Sequence, residues 1–142
     1  MKVIFLDFNG VLDKHDNMNV INIDNLMRLK NIVDETNAKI VISSSIRISY
    51  YYSGKISNLL KYVMDEITSC GMDIIGFTPL ASNREEEIKL YLYNHPEIEN
   101  YCIIDDDYNM DDLRRNLVKL PNQMGLDDIH MNMAIHILNR KK

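Results

Sequence analysis

Basic charge is in short supply: 16 Lys and Arg stand against 21 Asp and Glu, a formal net charge of −5. Proteins that grip nucleic acid through their overall charge are usually basic, so that mode of binding is excluded. A nucleic-acid end can still serve as substrate for a small local site. Cysteine is scarce too. Cys70 and Cys102 stand beside small or apolar residues and form no CxxC pair, which reads as reduced packing residues in a cytoplasmic protein rather than a disulfide or a zinc site. Long hydrophobic runs are missing: Val3-Ile4-Phe5-Leu6 stops at Asp7, too short for a signal-peptide core or a bilayer span. Three Pro and five Gly are scattered singly, with no linker, low-complexity tract or repeat. These absences exclude a membrane protein, a secreted disulfide scaffold and a fibrous repeat. What remains is one domain over residues 1–142, 46% hydrophobic and able to bury a sizeable core.

Five short apolar blocks read as buried strands: Lys2–Phe8, Ala38–Ile42, Asp73–Phe77, Tyr101–Ile104 and, more weakly, Leu117–Leu120. None shows the polar alternation of a half-exposed strand. Between them lie helical spacings. Ile23, Leu26, Leu29, Ile32 and Val33 share one face, as do Ile56, Leu59, Leu60, Val63 and Ile67. Ile88, Leu90, Leu92 and Ile98 make a less regular set after Ser82, a cap with Glu85 three residues on. A last helix fits Asp128–Asn139. Strands that alternate with helices and are apolar throughout imply a parallel sheet covered on both faces, so the fold class is a three-layer, Rossmann-like α/β domain.

In such sheets ligands collect at the carboxyl ends of the strands. Asp7-Phe8-Asn9-Gly10 follows the first strand, Ser43-Ser44-Ser45 the second, Arg84 the third after a short loop, and Asp105-Asp106-Asp107 the fourth. Singly, each has an ordinary explanation: a turn, a helix cap, a surface cation, a solvated acidic run. Jointly they converge on one rim. Carboxylates from two strand ends suit a hard cation with oxygen ligands, Mg²⁺ above all. Serine hydroxyls and N–H groups suit phosphate oxygens, and Arg84 offsets the charge of a transferring phosphoryl group. An Asp held against that group can attack it.

These residues resemble the haloacid dehalogenase (HAD) superfamily. Val3-Ile4-Phe5-Leu6-Asp7-Phe8-Asn9-Gly10-Val11-Leu12 looks like its first motif, Ile40-Val41-Ile42-Ser43-Ser44 its second, Arg84 its third, and Ile103-Ile104-Asp105-Asp106 its fourth. The set Ser43-Ser44-Ser45-Ile46-Arg47, Thr78-Pro79, Arg84-Glu85-Glu86-Glu87-Ile88, Ile104-Asp105-Asp106-Asp107 and Gly125-Leu126 is similar to the small HAD domain of Swiss Army Knife RNA-repair proteins. The resemblance implies a nucleophilic Asp7 that also ligates Mg²⁺, with the backbone carbonyl of Asn9 as a further ligand. It implies that Ser43, with Ser44, holds the phosphoryl oxygen next to Asn9 and Gly10, and that Arg84 steadies the intermediate. Asp105 and Asp106 would bind Mg²⁺ directly or through water; which of Asp105, Asp106 and Asp107 touches it stays open, Asp107 being more suited to capping. The implied partner is a phosphorylated small molecule or a nucleic-acid end, away from any membrane.

One position departs from the pattern. Phosphatases of the superfamily carry a second Asp two residues after the nucleophile as acid and base, and here it is Asn9. A carboxamide has no titratable proton, and loss of a general acid–base costs about 10²–10⁴ in rate. Three outcomes stay open: slow transfer or hydrolysis of activated phosphates, substitution by a nearby group such as Asp13 or His15, or phosphate binding alone. The gaps from Asp7 to Ser43 and from Ser44 to Arg84 are nearly filled by sheet and helix, so no cap domain fits and an open site is expected. Tyr50-Tyr51-Tyr52 could stack a base or merely pack, with Lys55 and Lys61 a thin positive surface. Met131 and Met133 on the last helix are expected to pack internally, while the oligomeric state is open.

Overall fold

The computed structural model describes residues 1–106 and 109–141. Five parallel strands make one sheet: β1 (Lys2–Leu6), β2 (Lys39–Ile42), β3 (Ile74–Phe77), β4 (Asn100–Asp105) and β5 (Leu117–Lys119). Their spatial order is β3-β2-β1-β4-β5. The helices are α1 (Ile23–Thr36), α2 (Ile48–Ser53), α3 (Asn58–Ser69), α4 (Arg84–Asn94) and α5 (Asp128–Leu138), with 3₁₀ turns at Ser45–Arg47 and Asp111–Asn116. This is the Rossmann-like α/β arrangement that the apolar blocks imply.

Both faces of the sheet are covered, and the residues of β1 are divided between them by the two-residue period of a strand. Ile4 and Leu6 face a core that includes Leu26, Leu29 and Ile32 of α1, Leu60, Val63 and Ile67 of α3, and Ala134, Ile137 and Leu138 of α5. Val3 and Phe5 face a smaller core with Ile88 and Tyr91 of α4, Ile103, Met110 and Leu113. Burial on both sides is why the strands carry no polar alternation. Cys102 is buried in the larger core and Cys70 packs against it; both are free thiols.

Some boundaries shift. Ile23 and Ile56 are exposed: the first opens α1 away from the sheet and the second precedes α3. The α4 cap is Asn83, whose side chain accepts from the Glu86 N–H, rather than Ser82. Met131 packs against the larger core, whereas Met133 is exposed. No helix among the described residues is long and apolar enough to cross a membrane.

The chain leaves β1 toward β2 and leaves β4 toward β5, in opposite directions across the sheet. A crevice therefore opens between the carboxyl ends of β1 and β4, which is where a sheet of this kind places a ligand. Asp7 directly follows β1 and Asp105 ends β4.

Candidate active site

Asp7 extends the β1–β4 pairing by one step, its N–H donating to the Ile104 carbonyl at 3.1 Å. Its Oδ1 accepts from the Phe8 N–H at 2.9 Å. Buried Asp7, Asp105 and Asp106 each bring a carboxylate oxygen within 4.8 Å of the others. Arg84, first residue of α4, places Nη1 2.7 Å from Asp105 Oδ2 and 3.3 Å from Asp7 Oδ1. Among the described residues the Arg84 guanidinium meets two of these three buried carboxylates. Burial pushes the Asp7 carboxyl up to about 7, with Asp105 and then Asp106 adding to the rise and Arg84 and the Phe8 N–H opposing it. An all-oxygen donor set of three clustered carboxylates fits a hard divalent cation such as Mg²⁺.

Gly10 makes this close approach possible. Its φ is +79°, and a Cβ there would lie 1.9 Å from Asp106 Oδ2. Its N–H donates to Asp13 Oδ1 at 2.7 Å. Asp106 is held from the other side by the Gln123 N–H, which donates to its Oδ2 at 2.9 Å.

At the end of β2, Ser43 is fully buried and its hydroxyl has no hydrogen-bond partner among the described residues. A buried hydroxyl left unpaired is costly unless a ligand completes it. Ser44 caps the following 3₁₀ turn, its Oγ accepting from the Ile46 N–H at 3.3 Å. The cleft above these groups holds about 380 Å³ and is lined by Asp7, Asn9, Ser45, Arg84, Asp106, Asn122 and Gln123.

The Asn9 amide donates to Asp13 Oδ2 at 2.7 Å and to Asn19 Oδ1 at 2.9 Å. Asp13 also accepts from the Asn19 N–H at 2.7 Å, so both of its oxygens are occupied in organising the loop after β1. His15 is exposed and its N–H donates to the Gln123 carbonyl at 3.1 Å. Neither residue lines the cleft. Asp107 lies outside the described residues.

The family description "HAD domain in Swiss Army Knife RNA repair proteins" matches residues 3–131 of this chain. The chain belongs to that family. No curated protein and no solved structure matches it. In this HAD domain the first-, third- and fourth-motif residues meet around one crevice, with the second-motif Ser43 buried at the neighbouring strand end.

The tyrosines sit beside that crevice without lining it. Tyr51 Oη donates to the Thr78 carbonyl at 2.9 Å, and the Tyr50 ring packs edge-on to Phe77 at 5.5 Å. Tyr52 is exposed. Lys61 is paired with Asp65 at 2.7 Å along α3, and Lys55 is exposed.

Sequence reasoning placed Ser45 at the end of β2 without a role of its own, and it missed Asn122 and Gln123. The last two follow β5, so extending the strand-end rule to the weakest strand would have found them. It named Arg47 within the family-like set and gave it no role, although the side chain is 1% exposed. A lone Arg on a short turn carries no burial signal of its own.

Proposed function

We propose that this HAD domain is a Mg²⁺-dependent phosphoryl-transfer enzyme working through Asp7. The juxtaposition of Asp7, Asp105 and Asp106 within 4.8 Å carries the reading. A carboxylate oxygen of Asp7 attacks phosphorus, the bond from phosphorus to the leaving oxygen breaks, and its electron pair departs on that oxygen. The product is an aspartyl phosphate on Asp7. Attack of water on that phosphorus returns the carboxylate and releases phosphate. Ser43 and the Ser44–Ser45 turn hold the non-bridging oxygens, and Arg84 offsets their charge. Asp7, Asp106, the Asn9 carbonyl and Asp105 would hold Mg²⁺, which when bound neutralises charge on the transferring group.

Asn9 narrows the substrates. It has no proton to give the leaving oxygen, and its amide is committed to Asp13 and Asn19. Leaving groups that depart as stable anions are therefore favoured over alkoxides. The family description points to RNA repair, and a nucleic-acid end fits an open crevice, as does a small phosphate. An end carrying a phosphoanhydride departs as a stable anion, whereas a terminal phosphomonoester leaves as a sugar alkoxide and falls in the slower class. The test is an aryl phosphate assayed with Mg²⁺. The wild type should turn it over and take up beryllium fluoride; Asp7→Asn should do neither.

The committed Asn9 amide favours a second reading, a phosphate-binding module in a repair or regulatory assembly. That reading is adopted if the wild type binds phosphate without turnover while Asn9→Asp gains turnover strongly.

A further inference from the structure

We infer that Arg47 is the positioning residue of this site: it aims the peptide units that bind the phosphoryl oxygens and sets the seat of Arg84. The inference rests on the phosphoryl-transfer reading above.

Arg47 is a buried cation whose guanidinium is satisfied on every side. Nε donates to the Thr78 carbonyl at 2.9 Å. Nη1 donates to the Ser43 carbonyl at 3.2 Å and the Ser44 carbonyl at 2.9 Å. Nη2 donates to the Pro79 carbonyl at 3.2 Å and pairs with Glu87 Oε1 at 2.9 Å. One side chain thus joins the turn after β2, the turn after β3 and helix α4.

Two consequences follow from peptide geometry. In a trans peptide the N–H points opposite to the C=O. With the Ser43 and Ser44 carbonyls drawn toward Arg47, the N–H groups of Ser44 and Ser45 point to its far side. Among the described residues neither N–H has a protein acceptor, and Ser45 lines the cleft. They form a ready pair of donors for an anion. The second consequence runs through Glu87, which lies three residues after Arg84 and so on the same face of α4. Anchoring Glu87 fixes the rotation of the helix that carries Arg84 against Asp7 and Asp105.

Stability alone is a poor reason for such a residue. Buried ion pairs are often no more stabilising than an apolar pair of equal volume. Only a planar guanidinium, with five donors in fixed directions, can serve four carbonyls and a carboxylate at once. Lys brings one charge and no fork.

The test is titration calorimetry of Mg²⁺ alone, and then of inorganic phosphate in saturating Mg²⁺, on wild type, Arg47→Lys, Arg47→Met and Glu87→Gln. In both Arg47 variants phosphate affinity should fall by about tenfold or more, because small misplacements of binding groups are expensive. Mg²⁺ affinity, whose carboxylate ligands are held by β1 and β4 and reach Arg47 only indirectly through Arg84, should stay within about threefold, one ordinary hydrogen bond's effect or less. Glu87→Gln should show the same split to a smaller degree, and it decides the matter if Arg47→Met does not fold. Unchanged phosphate affinity in a folded Arg47 variant overturns the inference. So does a parallel loss of Mg²⁺ and phosphate that merely tracks a lowered Tm. A wild type that binds neither Mg²⁺ nor phosphate overturns the phosphoryl-transfer reading itself, and this inference with it.

Discussion

Asp7, the proposed nucleophile, works against the fold when it is ionised. Its carboxyl is raised from 3.8 to about 7 by burial and by Asp105, so protonation favours the folded state. The stability gained from the protonated form is complete below about pH 4 and is lost as pH rises through about 7. Without a divalent ion, chemical denaturation should show stability falling across that window. Asp7→Asn should flatten the profile; an equally steep profile in that variant would assign the slope to other groups. Asn9 carries the companion prediction. An aspartate there would face Asp13 Oδ2 across the 2.7 Å now spanned by an amide N–H, and two carboxylates at that range share one proton. Asn9→Asp should therefore titrate with a raised carboxyl and lose stability as pH climbs above the ordinary carboxylate range. Any gain in turnover should be greatest in the acidic limb of the rate profile, which a pH–rate series would show.

Among the elements, α4 matters most, because its first residue is Arg84. Its N-terminus depends on Asn83, whose side chain accepts from the Glu86 N–H at 2.9 Å. Asn83→Ala should cost about 1 kcal/mol, read as a Tm lower by a few degrees. Ser82→Ala should cost much less, although Ser82 also has a residue of capping-box type, Glu85, three positions on. Ser and Asn are nearly equal as caps, so composition could not choose between neighbours; the backbone at Asn83, extended at φ −158°, does. Strand existence was legible for the same reason that strand ends were not. A doubly covered strand needs an unbroken apolar block, but the last paired residue depends on its neighbours. Asp105 ends β4 inside the sheet because Leu120 donates its N–H to the Asp105 carbonyl at 2.8 Å.

Across the whole molecule, the acidic cluster exists only in the folded chain, since Asp7 and Asp105 are brought together by the pairing of β1 with β4. Mg²⁺ should therefore bind the native state and raise its stability by mass action, by about 2.7 kcal/mol at a hundredfold excess over Kd. Thermal unfolding with and without Mg²⁺ would measure this. Replacing both Asp105 and Asp106 with Asn should remove the increment, and an undiminished increment would place the ion elsewhere. The interior offers a separate check. The Cys102 thiol is fully buried and its pKa is pushed far up by burial, so a thiol reagent should modify Cys70 far faster than Cys102 in the native protein. Both should react at similar rates once the protein is unfolded.

The residue types at the strand ends were readable in the linear chain: Asp7, Ser43, Arg84 and the acidic pair follow apolar blocks, and a parallel sheet puts such positions on one rim. Asn9 was equally plain, because a missing proton is a property of composition. The chain order did not show which groups bind each other. That Asp13 serves the loop rather than the cleft was decided by three donors arriving from Asn9, Gly10 and Asn19. That Arg47 lies under the site was decided by carbonyls of two strand-end turns and a carboxylate of α4. Hydrophobic periodicity is a local signal and survives in one dimension. The satisfaction of a buried polar group depends on partners distant in sequence, and only packing in three dimensions supplies them.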